Sequence, residues 1–367
     1  REKATMAGAG ARPALCLGLL VALASVRGSA PEGHAVAVVG AAGSVGELLS
    51  LLLRRSRLVH DVRLFDLSPV AGLAADLQHI DVPGNVTAFA DLADCLHRAD
   101  AVVVAAGVAR TADMSDDECV RVNGAIVRKV AETCAQVCPE AVLLLLTEPI
   151  EAMVPLAAQV LRRCGVRQAE QRVLGATGVD AMRANRFLAE RAGCDCDPAQ
   201  LRVPVIGGHG GWALPLFSRA EAAAQLSDSD LSALLRRVRT GAAEVASARE
   251  GTGPAVHAVA EAAARLVDQV LASGDGVDQP VAYAFTRSPH TKAPFLAGPV
   301  IVCRRGVARH LPLGTLSATE QRALEGLIPA LINAARQGRA MGALHRRTTG
   351  VVIPHEADEP RVQTEYG

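Results

Sequence analysis

The string Gly40-Ala41-Ala42-Gly43-Ser44-Val45-Gly46 constrains this chain more than any other segment. It follows a β-branched apolar run, Val36 to Val39, and precedes apolar residues at helical spacing from Val45 to Arg55. Glycines between a strand and a helix allow a tight turn and bring backbone close to a pyrophosphate. The helix N-terminus beyond them offers unpaired N–H groups and a partial positive charge. The next strand-like run, Val62 to Phe65, ends at Asp66, 20 residues after Gly46. A carboxylate there accepts hydrogen bonds from both ribose hydroxyls and repels a 2′-phosphate, so the expected nucleotide is NAD and not NADP. A glycine turn in an ordinary βα unit beside a surface aspartate is the competing reading, and it leaves the combined spacing unexplained.

The alternation continues, with helices expected at Leu73 to Ile80 and Cys119 to Val137, and strands at Ala101 to Ala105 and Ala141 to Leu146. Uninterrupted apolar strands separated by helices point to an α/β fold with a Rossmann-type doubly wound parallel sheet, covered on both faces. After about residue 180 the texture changes. Pro204, Pro215 and a glycine cluster at 207–211 lead into Ala-rich helical stretches near 228–249 and 255–272, then strand-like runs at 281–286 and 299–303. A last helical stretch runs from Ala318 to Arg336. The expected division is a targeting segment at 1–33, a nucleotide-binding domain at 34–180, a mixed α+β catalytic domain at 181–344, and a loose tail at 345–367.

Composition narrows the partners. Lys plus Arg is 38 and Asp plus Glu is 38, so no net positive field attracts a nucleic acid or an anionic membrane. Nine aromatic residues (six Phe, two Tyr, one Trp) leave no stacking platform for bases, and the core must come from Ala, Leu and Val. A small-molecule substrate is expected, with no nucleic acid and no membrane span. The nine cysteines are odd in number and scattered, which reads as reduced, buried thiols. Cys194-Asp195-Cys196 offers two thiolates without nearby histidine, too few for a closed tetrahedral metal site, so no metal is expected.

Residues 13–26 form an apolar run of 14, too short for a stable transmembrane helix. It reads as an address, either a secretory core ending at Gly28-Ser29-Ala30 or an organellar transit peptide in which Arg12 and Arg27 stand unopposed by acids. Pro31, directly after the small residues, counts against secretory cleavage, and the mitochondrial matrix is the compartment expected, with secretory and cytoplasmic fates left open. Met6 is a candidate start residue.

From Val36 to Gly338 the chain resembles the NAD-dependent malate dehydrogenases of mitochondrial and bacterial type. The resemblance rests on VAVVGAAGSVG, LFDLSPVAGLAADLQHI, AAGVAR, TGVDAMRANRF and VPVIGGHGG, in the family's order and spacing. It implies a two-domain homodimer with a mobile loop after AAGVAR. It also implies that His209 exchanges the proton and that Asp180 pairs with the other ring nitrogen. The chemistry agrees, because a neutral imidazole suits proton exchange near neutrality and a buried carboxylate orients it. Taken alone, a histidine among glycines is more often a satisfied loop residue. Arg183, one turn after Asp180, matches the arginine that grips the substrate's C1 carboxylate, and Arg110 the one that recognises a second carboxylate. Asn123, Leu146, Thr147, Glu148 and Val259 match cofactor-contacting positions.

Two departures bear on activity. The family carries a second loop arginine where this chain has Asp116, and Asn where it has Glu148; Glu151 replaces a further Asn, and Val259 a Met. Losing one preorganised donor to a developing oxyanion costs about 10² to 10³ in rate. Ionised Asp116 and Glu148 facing a dicarboxylate are expected to defeat oxaloacetate reduction, unless Arg121 substitutes, Glu148 is protonated, or the substrate is another 2-keto acid. The alternative is a catalytically impaired NAD-binding paralogue with a structural or regulatory role.

Overall fold

The structure is a computed structural model that describes residues 33–108, 114–193, 195, 197–272 and 281–343. In chain order the elements are β1 (His34–Val39), α1 (Ser44–Arg55), β2 (Val59–Phe65), α2 (Ala71–Gln78), β3 (Asn85–Phe89), α3 (Leu92–Leu96), β4 (Ala101–Val104) and α4 (Asp116–Val137). There follow β5 (Val142–Leu145), α5 (Ile150–Arg163), β6 (Val173–Gly175), α6 (Gly178–Ala192), β7 (Val205–Gly207) and β8 (Ala213–Pro215). The last are α7 (Asp228–Ala248), α8 (His257–Ala272), β9 (Val281–Arg287), β10 (Phe295–Cys303), β11 (Gly306–His310) and α9 (Ala318–Ala343).

The strands form one sheet in the order β3-β2-β1-β4-β5-β6-β9-β10-β7-β8, with β11 on β10. The first six run parallel, and antiparallel pairing begins where Gly175 of β6 meets Phe285 of β9. This is the doubly wound arrangement read from the apolar runs. Alternate residues of the central strands enter opposite cores. Ala37, Val39, Val102, Val104, Leu143 and Leu145 pack on the side of α4, α5 and α9. Val36, Val38, Ala101, Val103, Val142 and Leu144 pack on the side of α1 and α8. Burial on both faces is why these strands carry no polar alternation.

Short elements carry too little periodicity to be read from the sequence: β3, α3, the three-residue strands β6, β7 and β8, and β11. The same holds for α5, an apolar helix most of whose residues are buried. The last helix runs to Ala343, past the expected end at Arg336. Burial of every cysteine is corrected. Cys95, Cys119, Cys134 and Cys138 are buried, but Cys303 is half-buried and Cys164, capping the C-terminus of α5, is exposed. Cys194 and Cys196 lie outside the described residues, as do the leader at 1–32 and the tail at 345–367. Among the described residues no helix is long and apolar enough to cross a membrane, and no cluster of three metal-ligating side chains occurs.

Candidate active site

The turn from β1 into α1 is shaped by its glycines. Gly40 has φ of +90°, and a Cβ on it would collide with the backbone nitrogen of Ala106 beyond β4. A Cβ on Gly46 would collide with the Gly40 carbonyl, so α1 packs directly over the turn. Gly43 differs. A Cβ there meets nothing nearer than the Gly40 oxygen at 3.5 Å, and Gly43 and Ser44 are exposed. Gly43 is also the N-cap of α1 and supplies no side-chain cap, leaving first-turn N–H groups free for an anion. Ala41 is buried beneath the turn, while Ala42 and Val45 are half-buried at its sides. The half-buried Asp66 carboxylate accepts from Ala42 N at 3.0 Å and from Ser68 N at 2.9 Å, so it braces the turn from the end of β2. This cradle fits a dinucleotide pyrophosphate, and the Asp66 carboxylate stands beside it.

A second group ties the ends of β4 and β5 together. Asn123 of α4 is fully buried and donates through Nδ2 to the carbonyls of Val108 at 3.1 Å and Glu148 at 2.7 Å, while its Oδ1 accepts from Val108 N at 2.8 Å. Its amide is therefore committed to backbone and fixes the loop. Thr147 donates to the Ala106 carbonyl at 2.7 Å, and Leu146 N donates to the Val104 carbonyl at 2.9 Å. Val259, on the first turn of α8, is half-buried.

His209 follows β7 in extended backbone, before a single 3₁₀ turn at Gly210–Trp212. Its Nδ1 lies 2.6 Å from Asp180 Oδ2. Asp180 is completely buried near the start of α6 and also accepts from Gly210 N at 3.2 Å and Arg183 Nη1 at 3.4 Å. A buried carboxylate with three donors is compensated, so it holds the ring in one tautomer. Arg183 is 9% exposed and lies across α7, where a Cβ on Gly241 would fall 2.9 Å from its Cδ and Nε. Gly241 thus makes room for this guanidinium.

Nε2 of His209, on the side of the ring away from Asp180, lies 3.1 Å from Glu148 Oε1. The other Glu148 oxygen accepts from Ile150 N at 3.1 Å. Glu151, 5% exposed, accepts the backbone N–H of His209 at 2.6 Å. Burial is the largest influence on His209 and favours the neutral ring. The charges of Asp180 and Glu148, with hydrogen bonds to both, outweigh it and hold the imidazole well above the usual histidine range. Burial first, and the Glu148 charge second, push the Glu151 carboxyl up to about 7.

The structure therefore brings together His209, Asp180, Arg183 and Glu148, and adds Glu151 and Gly241. Glu151 stood out in sequence only as a departure from the family's Asn, and Gly241 gave no signal within an Ala-rich helix. Arg110 and the side chain of Asp116 lie outside the described residues. Arg121 is 62% exposed and pairs with Glu118 at 3.6 Å, on the solvent face of α4.

Comparison with known proteins matches residues 34–175 to the lactate/malate dehydrogenase NAD-binding domain and residues 177–341 to the lactate/malate dehydrogenase alpha/beta C-terminal domain. The chain belongs to the lactate/malate dehydrogenase family. It is 40% identical over 301 residues to the malate dehydrogenase of Vibrio cholerae, covering 81% of this chain and 96% of that one. It is 35% identical over 314 residues to the human mitochondrial malate dehydrogenase, covering 84% and 92%. The crystal structure of Cryptosporidium parvum malate dehydrogenase superposes with a TM-score of 0.73 at 25% identity, over 84% of this chain and 99% of that one. Membership assigns this chain NAD as cofactor and hydroxy-acid oxidoreduction as reaction class.

Proposed function

We propose that this family member interconverts malate and oxaloacetate, with His209 and Asp180 as the proton-handling pair. Bound NAD supplies or accepts the hydride at C2 of the substrate. The residues of this chain do the rest. Arg183 offers a planar fork to the C1 carboxylate, and Arg110, on the loop after β4, is assigned the second carboxylate. His209 holds at Nε2 the proton that the C2 oxygen takes or returns, while Asp180 stabilises the imidazolium. The observation that carries this reading is the 2.6 Å contact of His209 with a fully buried Asp180 that also holds Arg183.

The site is continuous with the nucleotide cradle. Gly40 abuts Ala106, Asn123 joins Val108 to Glu148, and Glu148 reaches His209. All of this lies beyond the carboxyl ends of β1, β4 and β5, where open parallel sheets bind ligands. The same geometry supports a second reading, an impaired NAD-binding paralogue, because a carboxylate sits on the nitrogen a substrate needs. The deciding experiment is NADH oxidation by the protein lacking residues 1–33, with oxaloacetate, pyruvate and an aromatic 2-keto acid in parallel. Turnover with oxaloacetate supports the dehydrogenase. NADH binding without turnover of any keto acid supports the paralogue.

The proposal extends to a homodimer and to delivery into mitochondria by residues 1–33. Relatives named as mitochondrial at 35% identity support the address, though the bacterial relative is as similar. Light scattering tests the dimer, and a reporter fused behind residues 1–33 tests the address.

The division at residue 180, with a nucleotide-binding part before it and a catalytic part after it, is proposed on the same footing. Its support is the placement of the glycine turn and Asp66 in the first part and of His209 in the second.

A further inference from the structure

Glu148 Oε1 faces Nε2 of His209 at 3.1 Å, and its side chain is 51% exposed while that of His209 is 18% exposed. Asn123 holds the Glu148 backbone carbonyl and Ile150 N holds its second carboxylate oxygen, so the residue is held at its backbone and at its tip. A substrate oxygen that approaches Nε2 within hydrogen-bond distance therefore arrives beside Oε1 as well. Two acceptors at one N–H repel unless a proton lies between them.

Resting on the dehydrogenase reading above, we propose that Glu148 is a second proton-carrying residue: Glu148 and His209 hold the exchangeable proton between them, and Glu148 connects it to solvent. In reduction, C2 gains a C–H bond with the hydride given up by NADH, and the carbonyl π pair becomes a lone pair on oxygen. That oxygen forms its O–H bond with the proton of the pair, the N–H or carboxyl O–H bond breaks, and its electrons stay on Nε2 or Oε1. Solvent then restores the proton through the exposed carboxyl. Oxidation runs the same steps backwards, with the alcohol proton passing to the pair and out.

The groups facing this pair are Glu151 from α5 and Asp180 and Arg183 from α6, with the Ile150 N–H at the start of α5. Glu151, whose carboxyl burial pushes up to about 7, is closed to solvent, so it cannot serve as the outlet. Asp180 is fully buried on the opposite ring nitrogen and orients the ring. Glu148 alone among these carboxylates joins the ring to water.

The experiment compares wild type, Glu148→Gln and Glu148→Ala in oxaloacetate-dependent NADH oxidation across pH, with NADH affinity measured separately by fluorescence. Glutamine keeps size and hydrogen bonding but carries no proton, so kcat is expected to fall about 10²-fold with NADH affinity unchanged. Added formate or acetate is expected to restore turnover to Glu148→Ala, whose vacated space admits a small acid, and not to Glu148→Gln. The His209 ring, followed by NMR, is expected to titrate at lower pH in both variants. A kcat for Glu148→Gln at or above wild type overturns the proposal and makes the carboxylate an obstacle; so does failure of every small acid to rescue Glu148→Ala. If wild type itself turns over no keto acid while binding NADH, the dehydrogenase reading fails first.

Discussion

Glu151 accepts the backbone N–H of His209 at 2.6 Å, so the first turn of α5 fixes the loop that carries the imidazole. Glu151 is buried and its carboxyl is pushed up to about 7, from 4.5, by burial and then by the Glu148 charge. The folded protein therefore keeps a proton here that the unfolded chain has released above pH 4.5. The contribution of Glu151 to stability is expected to be greatest below that pH, to fall as pH rises through the window up to about 7, and to level off above it. The raised His209 adds a fall in the same direction beyond its ordinary 6.5. Glu151→Gln keeps an acceptor oxygen and removes the first contribution. Thermal melts from pH 4.5 to 8 should show a shallower decline for the variant than for wild type, and equal slopes would refute the assignment.

Asp180→Asn leaves the fold of α6 in place but removes the charge that, with Glu148, raises His209. The amide can also hydrogen-bond the wrong tautomer. Turnover is expected to drop by about 10² to 10⁴. The limb of the pH profile on which reduction is lost with rising pH should move to lower pH, because the imidazolium loses the larger of its two charge partners. A profile that only scales down without shifting would show that Asp180 acts through packing alone.

Much of this site was legible because its parts are short strings with strict local demands. Gly40 must take φ of +90°, and the collision awaiting a Cβ there explains why the turn reads so clearly. His209, Asp180 and Arg183 were legible through helical spacing and family resemblance. The Glu148–His209 contact was not, because 61 residues separate the partners and no local period reports on a pairing between β5's exit and β7's exit. The helix α5 escaped for a related reason. Most of its residues are apolar and buried, and Pro155 stands in its interior, where a proline argues against a helix. The strands β6 to β8 are three residues each, too short for alternation to register.

Asp66 divides its carboxylate between the glycine turn and Ser68, through Ala42 N and Ser68 N. Asp66→Ala should therefore loosen the turn as well as remove the ribose acceptor. NADH affinity is expected to fall about 10- to 100-fold, the range for a charged hydrogen bond lost. The preference for NADH over NADPH should narrow, since the repulsion of a 2′-phosphate disappears with the charge. Fluorescence titration with both nucleotides measures this, and an unchanged preference would place the discrimination elsewhere.

Gly338 and Gly342 of α9 lie one turn apart against Ala152 and Leu156 of α5, which are also one turn apart. A Cβ on Gly338 would collide with the Ala152 carbonyl oxygen, and one on Gly342 would fall 2.7 Å from the Leu156 carbonyl oxygen. The two backbones touch, so no rotamer relieves an added methyl. Gly338→Ala is expected to destabilise by about 1 to 3 kcal/mol despite the better helix propensity of alanine. Gly326 in the same helix is exposed and has nothing within 4 Å of an added Cβ, so Gly326→Ala should stabilise by about 0.5 to 1 kcal/mol. Urea midpoints of the two variants should move in opposite directions. Because Ala152 directly follows Glu151, forcing α9 away from α5 also strains the Glu151–His209 bond. Gly338→Ala should lose turnover beyond its loss of stability, while Gly326→Ala keeps it; equal turnover in both would mean that the seam supports the fold without positioning the imidazole.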